Sequence, residues 1–230
     1  RRDFVANVSH ELRTPLTAIR MAAESLHMGA MRDDRMRAKF LNNIQGEADR
    51  LTRLVNELLT VANLMGRPIL HMSNFDLQTL AEQVEGTLEH HAKLANVQLI
   101  VNCPDDVPVV EADRDRLQQV LINLVDNAIK FTPASGAVTL DISSQAGGKE
   151  ILCKVIDSGI GIPPIDLPRI FERFYRVDKA RSRVTGGVGL GLSIVKDIIE
   201  AHHGRIVVTS EVNKGTTFNI NLPVKQPTPE

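Results

Sequence analysis

The chemistry of this chain starts at a histidine followed by a glutamate. His10 lies between the apolar residues Val8 and Leu12. A helix that buries those two turns residue 10 outward, with Arg13, Thr14 and Thr17 on its face. An imidazole with a pKa of about 6.5 is mostly neutral and nucleophilic near pH 7. The adjacent Glu11 carboxylate is placed to orient the ring and take up its proton. A lone exposed histidine on a helix is more often without function, so spacing alone leaves His10 as a solvated surface residue.

A second set lies on the segment Leu117 to Lys130. Leu117, Val120, Leu121, Leu124, Val125 and Ala128 form one apolar helical face. Asn123, Asp126, Asn127 and Lys130 recur at i, i+3, i+4 and i+7 on the other. Amide oxygens suit a hard cation, and an ammonium suits phosphate, so this stripe fits a magnesium-phosphate ligand. A solvated polar face is the plainer alternative on spacing alone.

Asp157 ends an apolar run and is followed by Ser158-Gly159-Ile160-Gly161. A carboxylate there can accept from an exocyclic amine while the glycines let backbone approach a flat ring. An Asp-Ser-Gly turn is the ordinary reading. Phe171-Glu172-Arg173-Phe174-Tyr175-Arg176 then lies in a stretch from Arg169 to Arg183 with a local basic excess and little periodicity. A basic lid over a triphosphate has this composition, as does a solvated loop. Gly186-Gly187-Val188-Gly189-Leu190-Gly191-Leu192 leads into a helix, where exposed amides and the helix dipole favour phosphate oxygens. It is not a dinucleotide fingerprint, because no strand runs directly into it.

The elements that must position these residues fall into two groups. Val5, Val8, Leu12, Ile19, Ala22 and Leu26 form one seam, interrupted at Pro15. Ile44, Ala48, Leu51, Val55, Leu58, Ala62 and Met65 form a second with heptad spacing. Gly29 and Arg32-Asp33-Asp34-Arg35 make the turn between them. Such a hairpin cannot bury both faces alone, so it pairs with a second copy into a four-helix bundle. Gly66-Arg67-Pro68 breaks the pattern as a linker. Beyond it the sequence predicts helices over Leu77 to Leu94, Leu117 to Lys130 and Leu190 to His203. Strands are predicted at Val97 to Val101, Val107 to Val110, Val138 to Ile142, Ile151 to Ile156, Arg205 to Ser210 and Thr216 to Leu222. The expected fold is a mixed sheet with helices on one face; Lys225 to Glu230 reads as disordered.

Composition sets bounds. The 230 residues are 43% hydrophobic and 24% charged, with a formal net charge of -1. A nucleic-acid binder usually carries a basic excess. No run reaches the roughly 18 apolar residues of a membrane span. Cys103 and Cys153 fit neither a disulfide framework nor a zinc pattern and read as small buried hydrophobes. The opening Arg1-Arg2 reads as an internal start, so the expectation is an excised soluble piece of a longer protein, with any membrane anchor in segments absent from this chain.

Taken together, these segments resemble a known family. Phe4-Val5-Ala6-Asn7-Val8-Ser9-His10-Glu11-Leu12-Arg13-Thr14-Pro15-Leu16 resembles the phosphoacceptor box of sensor histidine kinases. Asn123-Leu-Val-Asp-Asn127-Ala-Ile-Lys130-Phe131-Thr132 is similar to their asparagine box. Asp157 to Gly161 and Gly186 to Leu192 are similar to the two glycine-rich boxes, and Lys214-Gly215-Thr216-Thr217-Phe218 to the last short one. Two departures are Val188, where a small hydroxyl residue is commoner, and Asn213, in place of a frequent glycine. Five boxes in this order are far more specific than any one of them.

The resemblance implies a dimerisation and histidine-phosphoacceptor domain at 1–66 and a Bergerat-type ATP-binding α/β sandwich at 67–230. It implies that His10 accepts a phosphoryl group from ATP, with Glu11 as acid/base, and that Thr14 holds a water for dephosphorylating the partner. It implies Mg²⁺ on Asn127 and nucleotide contacts from Asn123, Asn127, Lys130, Asp157, Gly159, Gly161, Tyr175, Arg176, Gly187, Gly189, Leu190, Gly191 and Thr217, with Asp157 reading adenine. The implied partners are a second copy of the chain and a response-regulator receiver domain. The chaperone, topoisomerase and mismatch-repair ATPases share the ATP fold but lack a His10-type box. A dimeric scaffold with an inactive kinase domain is the non-enzymatic alternative.

Overall fold

The computed structural model describes residues 2–28, 33–64, 70–177 and 189–226; the side chains of 2–7, 10, 11, 53, 57 and 60–64 lie outside that set. Of the turn expected at Gly29 and Arg32 to Arg35, residues 29–32 therefore fall outside the described residues, as do the Gly66-Arg67-Pro68 linker, Gly187 and 227–230; Asp34 and Arg35 already belong to the second helix. The chain divides into two compact units, with the first ending at Asn63.

The first unit is a helical hairpin of α1 (Arg2–His27) and α2 (Asp34–Leu64). Asp33 caps α2 by accepting from the amides of Arg35 and Met36 at 2.9 and 3.1 Å. Pro15 does not break α1. It lies within the helix and is buried. The reason is spacing: Leu12, Pro15, Ile19, Ala22 and Leu26 step by three and four, so the ring fills the seam position that looked vacant. The lost amide costs one backbone bond.

The α2 seam differs from expectation. Leu54, outside the expected set, is 1% exposed, whereas the seam residue Val55 is 45% exposed and Ala48 is also exposed. Ile44, Leu51 and Leu58 are partly covered. The hairpin partner thus covers the Ile44-Leu51-Leu54-Leu58 side. Leu41, Ala48, Val55 and Leu59 form a second apolar strip without cover in the single chain. One seven-residue pattern holds two contact faces, and sequence spacing does not say which one the hairpin uses.

The second unit holds a five-stranded mixed sheet in the order β2-β4-β5-β7-β6. The strands are β2 (Gln98–Asn102), β4 (Ala137–Gln145), β5 (Glu150–Asp157), β6 (Arg205–Glu211) and β7 (Gly215–Pro223). Only β2 and β4 are parallel; their connection carries a helix, as a parallel crossover requires. Helices α3 (Leu77–Ala95), α4 (Arg114–Phe131) and α5 (Gly191–Ala201) pack on one face. Strict alternation puts Val138, Leu140 and Ile142, then Ile151, Cys153 and Val155, then Phe218, Ile220 and Leu222 beneath them. Each large aliphatic side chain fully buried there contributes roughly 1.5–3 kcal/mol. That layer makes the site a fixed shelf between helices and sheet.

Two further expectations change. The strand expected at Val107 to Val110 is β3 (Val110–Asp113), and it pairs with β1 (Met72–Phe75) rather than with the main sheet. Pro104 and Pro108 supply no backbone donors, so the extended segment starts only after them. β1 itself carries no alternation and escaped the sequence pattern. Of the tail read as disordered, Gln226 is tied: its backbone amide donates to Glu111 Oε2 at 3.3 Å and its side-chain Nε2 to Glu111 O at 3.1 Å. Among the described residues no helix is long and apolar enough to cross a membrane.

Candidate nucleotide site

The site is built around the end of β5. Asp157 lies on the helix-covered face and is buried. Its Oδ1 accepts from the amides of Gly159 at 2.8 Å and Thr216 at 3.1 Å. Oδ2 has no protein donor among the described residues. Burial pushes this carboxyl above the usual carboxylate range, and the two amides oppose that shift. One oxygen is therefore fixed by backbone and the other is left as an acceptor, the arrangement needed to read an amino group.

The glycines after Asp157 are held by close backbone approach. A Cβ on Gly159 would come within 2.6 Å of both Asp157 Oδ1 and the Phe131 carbonyl oxygen. Ile160 donates its amide to that same carbonyl at 3.1 Å, which joins this turn to the end of α4. Gly161 has φ +69 and packs against the Glu211 carbonyl, where no side chain fits. The β6–β7 turn closes the other side. Asn213 has φ 63 and donates to Ile160 O at 2.8 Å. Asparagine tolerates that left-handed conformation, so its replacement of a glycine keeps the turn. Ser210 Oγ accepts from Ile162 N at 2.8 Å, donates to Gly215 O at 2.9 Å and meets Thr216 Oγ1 at 2.9 Å.

Thr217 does not join this group. It pairs with Ile156, on the sheet face opposite Asp157, because adjacent strand residues point to opposite sides. Thr216, its neighbour, pairs with Asp157 and supplies the amide. The strand register therefore turns Thr217, expected as a nucleotide contact, away from the Asp157 side, since a one-residue offset in a strand reverses the face.

On α4, capped by Asp113 through a 3.1 Å bond from Arg116 N, the polar stripe forms as the spacing predicted. Asn123 and Asn127 are half-buried, and neither amide is hydrogen-bonded among the described residues. Lys130 is not free: its Nζ is paired with Asp126 Oδ2, while His91 Nδ1 of α3 approaches Asp126 Oδ1 at 2.9 Å. Neither His91 nor the role of Asp126 was visible from motif spacing.

Tyr175 and Arg176 lie in the segment after the short 3₁₀ turn Leu167–Arg169. Tyr175 Oη donates to Asp166 Oδ1 at 2.5 Å, which raises its hydroxyl pKa. Arg169 stacks 4.2 Å above the Tyr175 ring and pairs with Glu172 at 3.1 Å. Phe171 packs edge-on against Phe218, and Arg173 pairs with Asp197 of α5 at 2.9 Å. These contacts anchor the segment on both sheet and helix. Phe174 donates its amide to Gly189 O at 2.8 Å, and Gly189, φ +82, lies against the Phe174–Tyr175 backbone. Leu190 is buried and its carbonyl accepts from Ile194 N and Ser193 Oγ, starting α5 just after Gly189. The amides at Gly191 and beyond therefore form the helix N-terminus expected of a phosphate contact.

In the first unit, His10 and Glu11 lie in α1, with side chains outside the described set. Thr14 is exposed on that helix.

Comparison with known proteins accounts for both units. Residues 112–226 match the family model described as histidine kinase-, DNA gyrase B-, and HSP90-like ATPase. Residues 1–66 match the His Kinase A (phospho-acceptor) domain. The chain belongs to the sensor histidine kinases of two-component systems, of which it carries the catalytic core. It is 42% identical to the sensor histidine kinase WalK of Bacillus subtilis, over 98% of this chain and 37% of that protein. It is thus similar to little more than a third of that relative's length. Full-length ShkA in complex with AMPPNP superposes with a TM-score of 0.72 and 31% identity, over 99% of this chain and 47% of that one. Histidine kinase ThkA in complex with the response regulator TrrA gives 0.77 and 27%, over 96% and 61%.

Proposed function

We propose that this chain, as a homodimer, uses ATP to phosphorylate His10 and passes the phosphoryl group to an aspartate of a response-regulator receiver domain, with phosphatase activity toward that regulator. Residues 1–66 act as the dimerisation and phosphoacceptor domain and 67–230 as the ATP-binding domain. The observation that carries this reading is Asp157, one oxygen saturated by backbone amides and the other free for an adenine amino group, beside the asparagine stripe of α4. The two family matches and the relatives' bound AMPPNP and response regulator support it.

The residues fit a magnesium ion. Asn127 and Asn123 offer unpaired amide oxygens, and among the described residues no group of three or more His, Cys, Asp or Glu gathers into a metal cage. Such a sparse protein contribution suits Mg²⁺, which keeps waters and shares substrate phosphate oxygens. When bound, the ion would neutralise charge on the phosphates. Asp157 and the backbone at Gly159 and Gly161 hold the base; Asn123, Lys130, Tyr175, Arg176 and the amides around Gly187 to Gly191 hold the phosphates.

At the transfer step an imidazole nitrogen of His10 attacks the γ-phosphorus in line. The bond from that phosphorus to the ADP oxygen breaks, ADP leaves with the electron pair, and Glu11 takes the imidazole proton. Positioning and charge neutralisation supply most of the acceleration. A receiver aspartate oxygen then attacks the phosphohistidine and the imidazole leaves. Thr14 positions a water for the reverse control, hydrolysis of the regulator's acyl phosphate. A membrane anchor belongs to segments beyond this chain. The test is incubation with γ-labelled ATP followed by addition of receiver domains: label moving from chain to receiver supports the reading, and a chain that binds no nucleotide with Mg²⁺ overturns it.

A further inference from the structure

Lys130 is committed to another charge in the structure. Its ammonium is paired with Asp126 one turn earlier on α4, and both side chains are mostly shielded, 21% and 26% exposed. The carboxylate is held a second time by His91 of α3, whose Nδ1 lies 2.9 Å from Oδ1. Asp126 is thus fixed from two sides, between α3 and the polar stripe that holds Asn123, Asn127 and Lys130. A triphosphate brought to that stripe meets an ammonium already neutralised, and a negative charge beside it.

Resting on the nucleotide-binding reading above, we propose that Asp126 is a positioning residue that competes with phosphate for Lys130 and so weakens nucleotide binding. For the ammonium to serve a phosphate it must leave Asp126, and His91 remains to satisfy the carboxylate when it does. The pair then favours release: as the nucleotide departs, Lys130 returns to Asp126 and no charge at the site is left without a partner. A purely structural bridge between α3 and α4 makes the opposite prediction, because breaking it would loosen the helix that carries Asn127 and weaken binding.

The test is titration of the whole chain with ADP and with a non-hydrolysable ATP analogue, both with Mg²⁺, for the native protein, Asp126→Asn, Lys130→Met and the double variant. Asp126→Asn is expected to tighten binding by about two- to fivefold, the scale of a partly exposed ion pair. Lys130→Met is expected to weaken it, and in that background Asp126→Asn should have no further effect. Weaker or unchanged binding on Asp126→Asn overturns the proposal. So does tightening that persists without Lys130, which would be general repulsion rather than competition. A native chain that binds neither nucleotide would instead sink the functional reading itself.

Discussion

The backbone amide of Thr216 donates to Asp157 Oδ1 at 3.1 Å, from a strand 59 residues further along the chain. Gly159 supplies the second amide, so one carboxylate oxygen is spent on holding the β5 and β7 ends together. The other is left to a ligand. The carboxyl group thus serves the frame and the recognition at once.

Asp157→Asn separates these two roles. Asparagine keeps an oxygen for both amides but presents an NH₂ where an adenine amine would donate. Nucleotide affinity should fall by about tenfold or more, since a buried recognition bond becomes a donor–donor conflict. Stability should not fall. Burial raises the native pKa of Asp157, so its contribution favours the fold only at low pH and is lost as pH rises through that native value. Above that native value asparagine has no carboxylate to desolvate, so the melting temperature without nucleotide should hold or rise. Calorimetric titration and thermal unfolding read the two effects.

His202 gives the second unit an acid limit. The ring is 0% exposed; Nε2 accepts from the Asp113 amide at 3.0 Å, so the proton sits on Nδ1, which lies 2.8 Å from Ile198 O. Burial holds its pKa below the usual imidazole value. The stability it contributes is therefore present above the unfolded pKa of about 6.5 and is lost as pH falls toward the lower native value. Urea unfolding of the native chain from pH 7 to 5 should show this loss, and His202→Gln should flatten it. His202→Ala should cost about 1–3 kcal/mol at pH 7 by leaving the Asp113 amide unmet.

Val55 tests the dimer. With Leu41, Ala48 and Leu59 it forms an apolar strip that the chain's own hairpin does not cover. Val55→Glu places a charge in that strip and should weaken self-association by tenfold or more, seen by sedimentation, while nucleotide affinity per chain is unchanged.

Most of the frame was legible because its causes are local. Alternation in β4, β5 and β7 and the apolar stripe of α4 come from burial on one face, and each element lies within a few residues of its expected span. What the sequence left illegible has a different cause. Thr216 rather than Thr217 meets Asp157 because of strand register, which pairs residues far apart in sequence. Asp126, which pairs with Lys130 on its own helix, is also held by His91 because α3 packs on α4, a contact that no motif encodes. Pro15 looked like a break because composition does not show that its ring can fill a seam position. β1 lacks any hydrophobic pattern and exists through its pairing with β3.

The most direct trial of the account is phosphorylation of the chain by γ-labelled ATP, with Asn127→Ala and His10→Ala alongside. The native chain should take up label that is stable to alkali and lost in acid. Asn127→Ala should lose both the label and Mg²⁺-dependent binding. His10→Ala should bind ATP as before and carry no label; acid-labile, alkali-stable phosphate on His10→Ala would contradict the account.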